Sequence, residues 1–164
     1  MKSLIRSLFI GLAMLVVLLL LAGRLGWLGG TPPTDLGVHE GKLKAPSSTP
    51  NSVSSQAALW PDHTQRERAR IAPLPMPGDA TVTLARLRTA VAAMPGARIV
   101  TERPDYLYAE FTTPRLRFVD DVEFWIDPAA GVVHVRSASR IGYSDRGLNR
   151  ARIEALRERL AALP

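Results

Sequence analysis

Residues 136–154, RSASRIGYSDRGLNRARIE, combine side chains that often form polar sites in proteins. Arginines alternate with serines, and an aspartate and an asparagine follow. The guanidinium group of arginine pairs with carboxylates and phosphates through two parallel hydrogen bonds. The stretch also passes from a predicted strand into a predicted helix, whose first N–H groups attract anions. This composition is typical of a ligand site, or of a polar network that holds the final helix in place.

Acids that these bases can meet lie on the preceding predicted strand, in FVDDVEFWID. The loop PAAG joins that strand to VVHVRSASRI and predicts a β-hairpin, whose register follows from the four-residue loop. In this register Glu123 lies directly opposite Arg136 on the polar face, and Asp121 lies diagonal to Arg136 and Arg140. When exposed, each such pair contributes only about 0.2–1 kcal/mol.

Asp120 falls on the opposite, apolar face of the hairpin, where it pairs with Ser139 and lies near Ser137. A buried carboxylate is costly unless it accepts hydrogen bonds. We therefore expect Asp120 to be bonded to those two hydroxyl groups or to backbone N–H groups around residues 144–147.

The last predicted helix begins near Arg146. Ser144 or Asp145 is expected to cap it, and Asn149 lies on its inward face. Arg146 and Arg150 flank that face, from which they are expected to reach the acids of the sheet.

Three interpretations of these residues remain open. They lock the helix to the hairpin, they form a concave site for an anionic or polar ligand, or carboxylates catalyse acid–base chemistry. The candidate network or ligand site consists of Asp120, Asp121, Glu123, Arg136, Ser137, Ser139, Arg140, Ser144, Asp145, Asn149 and Arg150.

Several other chemistries are disfavoured by the sequence. There is no cysteine, and His39, His63 and His134 lack the spacing of metal ligands. No glycine-rich phosphate loop or serine–histidine–aspartate set is present, so we expect no cofactor, metal or catalytic residue of those classes. The net charge is +6, but the basic residues alternate with acids, which argues against nucleic-acid binding.

The N-terminus has the pattern of a membrane anchor. Lys2 and Arg6 precede an apolar run, and residues 4–28 together suffice to cross a bilayer. No good cleavage site follows, which favours an uncleaved signal anchor over a cleaved signal peptide. The positive N-terminal flank predicts a cytoplasmic N-terminus, with the remaining chain on the periplasmic side of the inner membrane.

The rest of the chain predicts an α+β fold. Residues 1–30 form the transmembrane helix, residues 31–57 a tether rich in proline, serine and glycine, and residues 58–164 the domain. Within the domain, helical spacing near both ends encloses four alternating segments, which predicts an antiparallel four-stranded meander with both helices on one face. The end of the tether, TPNSVSSQA, is a segment that can dock on the domain.

Three motifs resemble the bacterial and plastid family known as domain of unknown function 1499. They are PNSVSS at residues 50–55, FVDDVEF at 118–124 and the stretch at 136–154, and the resemblance covers residues 43–163. Members of that family commonly carry cysteines where this chain has Pro46 and Ser52, so any role of those thiols is lost here. The resemblance implies no known reaction.

We therefore expect a membrane-anchored envelope protein whose domain binds or scaffolds without catalysis. Its partner would be another envelope protein or an anionic ligand. The alternative is an envelope enzyme that uses Asp120, Asp121 and Glu123 in acid–base chemistry.

Overall fold

The computed structural model describes residues 2–163, which form four α-helices and six β-strands. The helices are α1 (Lys2–Arg24), α2 (Arg66–Ala69), α3 (Ala80–Ala92) and α4 (Leu148–Ala162). The strands are β1 (Ser52–Ser54), β2 (Leu74–Pro75), β3 (Ala97–Arg103), β4 (Tyr106–Thr112), β5 (Val119–Asp127) and β6 (Val132–Ser139), and a 3₁₀ turn covers Ala57–Leu59.

Strands β3 to β6 form the predicted antiparallel meander, and the sheet is extended beyond it. Both β1 and β2 pair antiparallel with β6, so the sheet order is β1-β6-β5-β4-β3 with β2 beside the other end of β6. Strand β1 lies inside residues 31–57, where the sequence predicts a tether. Its central residue, Val53, is buried in the core, so the folded part of the chain begins before residue 58.

Helices α3 and α4 pack on one face of the sheet, as predicted, and enclose the main hydrophobic core. Asp79 caps α3 by accepting a hydrogen bond from the Val82 N–H at 2.8 Å. Leu87 and Val91 of α3 meet Phe124 of β5, and Ile153 of α4 is fully buried beside them. The apolar side of each helix packs against the apolar face of the alternating strands, and burial of these surfaces produces the two-layer arrangement.

The other face of the sheet is covered by the chain between residues 35 and 56. Leu43 is buried there against Tyr106 and Tyr108 of β4. Gln56 holds this segment in place: its Oε1 accepts from the Leu43 N–H at 2.8 Å, and its Nε2 donates to the Gly41 carbonyl at 3.0 Å. The polar face of the hairpin is therefore buried, which changes the energetics of every charge on it.

Helix α1 is apolar and lies outside both cores. Its 23 residues span about 34 Å at 1.5 Å per residue, enough to cross a hydrocarbon layer of about 30 Å. None of its most apolar stretch is buried within residues 2–163. Its length, composition and position near the N-terminus suit either a membrane anchor or a signal sequence.

Candidate functional site

Asp120 is buried between the sheet and α4, and it belongs to a network that we call the inner network (Asp120, Ser137, Ser139, Asn149 and Arg152). Asp120 accepts a hydrogen bond from Nη2 of Arg152. Nη1 of Arg152 donates to Oδ1 of Asn149 at 2.6 Å and to Oγ of Ser137 at 3.1 Å. Asn149 is fully buried, and its Nδ2 donates to Oγ of Ser139 at 3.0 Å.

The sequence predicts the burial of Asp120 and its pairing opposite Ser139, and both are confirmed. The expected donors are wrong. The structure uses a guanidinium group from α4 instead of the serine hydroxyls or the backbone around residues 144–147. The reason is geometric, because Arg152 lies one turn into α4 and its guanidinium group also stacks 4.8 Å from the centre of the Phe111 ring.

Helix α4 begins at Leu148 with Gly147 as its N-cap, two residues later than the sequence predicts, so neither Ser144 nor Asp145 is the N-cap residue. Asp145 nevertheless accepts hydrogen bonds at the start of the helix. Its Oδ2 accepts from the Asn149 N–H at 2.8 Å and its Oδ1 from the Gly147 N–H at 3.0 Å. Ser144 accepts from the Arg146 N–H, two residues later, at 3.2 Å, so it supports the turn. Arg150 donates to two backbone carbonyls near α2, at 2.8 and 2.9 Å, and not to the acids of the sheet as expected.

On the other face, Arg140 connects two acids in a group that we call the outer network (Arg98, Tyr108, Glu110, Asp121 and Arg140). Arg140 Nη2 donates to Glu110 Oε1 at 2.6 Å and to Asp121 Oδ1 at 2.8 Å, while its Nε donates to both Asp121 oxygens. Tyr108 donates to Asp121 at 2.6 Å. The predicted proximity of Asp121 and Arg140 is confirmed.

The outer network stabilises charge inside the protein. Burial alone would raise the pKa of Glu110, but hydrogen bonds from Arg140 and Arg98 outweigh it and hold that pKa below its usual value. Burial and the hydrogen bond to Asp121 raise the pKa of Tyr108, which stays protonated as a donor. Both acids are therefore occupied by cations or hydroxyl donors.

Glu123 and Arg136 are paired in the predicted register, but both are buried. Oε1 of Glu123 accepts from the Gly37 N–H at 2.7 Å and from the Tyr106 hydroxyl at 2.9 Å. Its Oε2 has no hydrogen-bond partner among residues 2–163 and lies 3.7 Å from Nη1 of Arg136. Burial raises the pKa of Glu123 and lowers that of Arg136.

A polar cleft of about 420 Å³ opens beside these groups, between residues 31–49 and residues 139–142. Its lining includes three cationic side chains, Lys44, Arg136 and Arg140, and one carboxylate, Asp121. Asn51 also lines it. The Asn51 Nδ2 donates to the Gly142 carbonyl at 2.7 Å, whereas its buried Oδ1 has no donor within the described chain.

The structure thus divides the eleven candidate residues among distinct roles. Asp120, Ser137, Ser139 and Asn149 form the inner side, and Asp145 with Ser144 organises the start of α4. The outer side of the sheet holds Asp121, Glu123, Arg136 and Arg140, whereas Arg150 donates to backbone carbonyls. Asp121, Arg136, Ser139 and Arg140 line the polar cleft, while Glu123 and Arg150 do not.

Sequence reasoning missed several important residues. Arg152 lies three positions after Asn149, a spacing that places both on one side of a helix, but this spacing alone does not show that Arg152 is buried. Glu110 and Lys44 carried no signal, because one belongs to a strand whose facing partners were unassigned and the other to an irregular segment. Among the described residues, no group of three or more His, Asp or Glu is placed to hold a metal ion.

Comparison with known proteins supports the resemblance in the sequence motifs. Neither the curated proteins nor the solved structures give a match to this chain. A family profile described as "Protein of unknown function (DUF1499)" matches residues 42–160, which include every strand of the sheet and nearly all of α4. The chain therefore belongs to the DUF1499 family.

Proposed function

We propose that this chain is an envelope protein anchored in the inner membrane by α1, with a periplasmic domain that binds an anionic ligand in the polar cleft without catalysis. The carrying observation is the cationic lining of the cleft. Lys44, Arg136 and Arg140 face it with a single acid, Asp121. Each of these cations also has an acid partner: Asp35 for Lys44, Glu123 for Arg136, and Asp121 with Glu110 for Arg140. A phosphate or carboxylate group would therefore be bound by their remaining N–H donors, not by a net positive charge.

The two arginines of the cleft are held in place by the protein. Nε of Arg136 donates to the Ala45 carbonyl at 3.0 Å, and Arg140 is bonded through Nε and Nη2 to the outer network. Nη1 of Arg140 and the Nη2 of Arg136 make no hydrogen bond to the described residues. Fixed donors lose little freedom on binding, which lowers the cost of holding an anion.

The placement of the acids supports binding over acid–base catalysis. A general acid or base needs a carboxylate within reach of a substrate in a concave site. Asp120 is bonded to Arg152, and Asp121 to Arg140. Glu123 has a raised pKa, but it is fully buried under Gly37 and is not part of the cleft lining.

The proposed location follows from the N-terminal segment. Lys2 and Arg6 precede the apolar stretch of α1, and positive residues are retained on the cytoplasmic side. The domain follows α1 and would therefore lie in the periplasm. An uncleaved α1 keeps the cleft close to the membrane, because Thr31 at the edge of the cleft is only seven residues beyond Arg24.

The test uses the full chain in lipid nanodiscs, titrated separately with inorganic phosphate and with succinate. We expect binding of at least one anion, and Lys44→Ala should weaken it about tenfold, because a hydrogen bond to a charged group contributes about 1.5–3 kcal/mol. Lys44 is at the edge of the cleft with 35% of its side chain exposed, and its ion pair with the exposed Asp35 is a surface pair that contributes little stability, so we expect its replacement to leave the fold intact.

Lys42→Ala is the matched control, since Lys42 is two residues away, lies near the Trp60 ring and does not line the cleft. Equal affinities in the two variants, or no binding of either anion by the parent chain, would contradict the proposal.

A further inference from the structure

The loop between β4 and β5 packs directly against the end of α1. Gly23 is the buried residue of that helix, and a Cβ atom placed on it would lie 2.5 Å from the carbonyl oxygen of Leu116. Only glycine allows so close an approach between the helix and this backbone. The position of the loop relative to the helix end is thus set by direct contact.

The same loop extends along the side of α1 toward its membrane-spanning part. Pro114 and Arg115 line a groove together with Val17, Leu20, Leu21 and Arg24. Val17 precedes Arg24 by seven residues, about 10 Å along a helix axis. With Arg24 at the level of the lipid headgroups, Pro114 and Arg115 therefore lie at that level or just beneath it, at the boundary between headgroups and hydrocarbon.

We call residues 113–118, TPRLRF, the basic loop. Arg115 and Arg117 are exposed, and the loop contains no acid. Neither arginine, nor the exposed Arg24, forms an ion pair with any of residues 2–163. Three unpaired cations thus meet where the chain leaves the membrane, and such a surface complements anionic phosphate groups.

The basic loop is closed by hydrogen bonds between its two ends. The Thr113 N–H donates to the Phe118 carbonyl at 2.9 Å, and Oγ1 of Thr113 accepts from the Phe118 N–H at 2.9 Å. Arg117 adopts a left-handed conformation with φ of 60°, which is costly for a residue other than glycine and needs support from its surroundings. The loop therefore presents its two arginines from a fixed turn.

From these contacts we infer that the basic loop is a membrane-contact surface that binds anionic phospholipid headgroups and fixes the orientation of the domain on the bilayer. The inference rests on the membrane anchor of the proposed function, and it is independent of any ligand in the polar cleft. An acidic segment of another protein is the alternative occupant of the same charges.

The chain has no cysteine, so single fluorophores can be placed without a background. Three variants of the full chain, Leu18→Cys, Pro114→Cys and Ala129→Cys, are labelled and reconstituted in nanodiscs that carry headgroup-nitroxide lipids. Residue 18 reports α1, residue 114 the basic loop, and residue 129 the turn at the opposite end of the sheet. We expect quenching at 18 and 114 but not at 129.

The charge dependence is tested with and without phosphatidylglycerol in the nanodiscs. Quenching at residue 114 should be stronger with the anionic lipid, and Arg115→Gln or Arg117→Gln should each lower the docked population about fivefold. Arg159→Gln, an exposed arginine in the last turn of α4, is the matched control and should change nothing.

The two proposals fail in different ways. Absence of quenching at residue 18 would show that α1 is not inserted and would remove the anchor. Quenching at 18 without quenching at 114, or equal quenching at 114 in neutral and anionic nanodiscs, would overturn the inference alone. Quenching at 114 that responds only to an added acidic peptide would assign the loop to a protein partner and overturn it as well.

Discussion

Replacing Asp120 by alanine removes the only acid of the inner network. Its carboxylate is 3% exposed, and its partner Arg152 is 8% exposed, so the pair is shielded from water on both sides. The Asp120→Ala variant leaves the Arg152 guanidinium group buried without a counter-charge. We expect a clear loss of stability from this uncompensated charge.

The size of this stability loss depends on the contacts that Arg152 keeps in the variant. Removing one partner of a buried ion pair costs about 3–5 kcal/mol. Arg152 keeps its hydrogen bonds to Asn149 and Ser137 and its contact with the Phe111 ring, which favour the lower end of that range. We expect a loss of about 3 kcal/mol, or roughly 10 °C in the unfolding midpoint of a domain of this size.

The assay is thermal unfolding of the full chain in detergent, followed by tryptophan fluorescence. Asp62→Ala is the control, because Asp62 is exposed and its side chain forms no hydrogen bond or ion pair within the described chain, and it should change stability by less than about 0.5 kcal/mol. Adding Arg152→Met to Asp120→Ala removes the buried charge. The double variant should therefore recover about 2 kcal/mol relative to the sum of the two single losses.

An unchanged midpoint for Asp120→Ala would refute the reasoning, since it would mean that solvent reaches Arg152. Strict additivity of the two substitutions would refute it too, because it would show that the two side chains do not interact.

Three further predictions concern charge, topology and backbone. Burial raises the pKa of Glu123, so the folded state holds a proton that the unfolded chain has lost; this stability is present at low pH and declines as the pH rises through the folded-state pKa. Urea unfolding at about pH 5 and about pH 8 should show a smaller decline for Glu123→Gln than for the parent chain. A reporter at the C-terminus that is active only in the periplasm should be active, and activity of a cytoplasmic reporter would contradict the orientation. Gly96→Ala should cost more stability in thermal unfolding than Gly131→Ala: both glycines have positive φ, but only at Gly96 would a Cβ atom meet backbone, 2.3 Å from the Thr112 carbonyl oxygen. Equal losses would show that the close approach does not matter.

The sequence was sufficient for the elements with strong periodicity. Alternation in β5 and β6, with a four-residue loop between them, predicts the pairing of Glu123 with Arg136 and of Asp120 with Ser139, and both pairings are present. The position of α3 followed from its cap and its helical spacing, and that of α4 from helical spacing alone, with its start misplaced by two residues. A slip of one residue would have inverted both faces, so the pattern allowed a single register.

The short outer strands could not be predicted in the same way. Strand β1 has only three residues and β2 only two, too few to show alternation. They exist because the edge of β6 offers backbone partners, not because of their own propensity. The cover over the outer face was missed for a related reason. It is attached through backbone groups, such as the Gly37 N–H on Glu123 and the Ala45 carbonyl on Arg136, which leave no pattern in side-chain types.

Within the candidate site, the sequence was sufficient for the faces of the acids and for the arginines beside Asp121 and Glu123, but not for the partner of Asp120. Asp120 and Asp121 are adjacent, so a strand must direct them to opposite sides. Arg152 appears as one charged residue among many on α4, and its burial depends on the distance between that helix and β5. Such a distance is set by tertiary packing, which local spacing does not contain.

Asp120 and Asp121 each bind an arginine from residues 136–154, and these two pairs stabilise the fold and also shape the cleft. Asp120 fixes α4 through Arg152, and Asp121 fixes the outer face through Arg140. Residues 139–142, which form one wall of the cleft, lie between these attachments and so are held from both sides. Stability and ligand binding should therefore separate. Loss of Lys44 at the cleft edge should weaken anion binding at unchanged stability, whereas loss of Asp120 should lower stability first and binding only through displacement of that wall. A Lys44→Ala variant that unfolds as early as Asp120→Ala would show that the cleft is part of the structural network and not a preformed site.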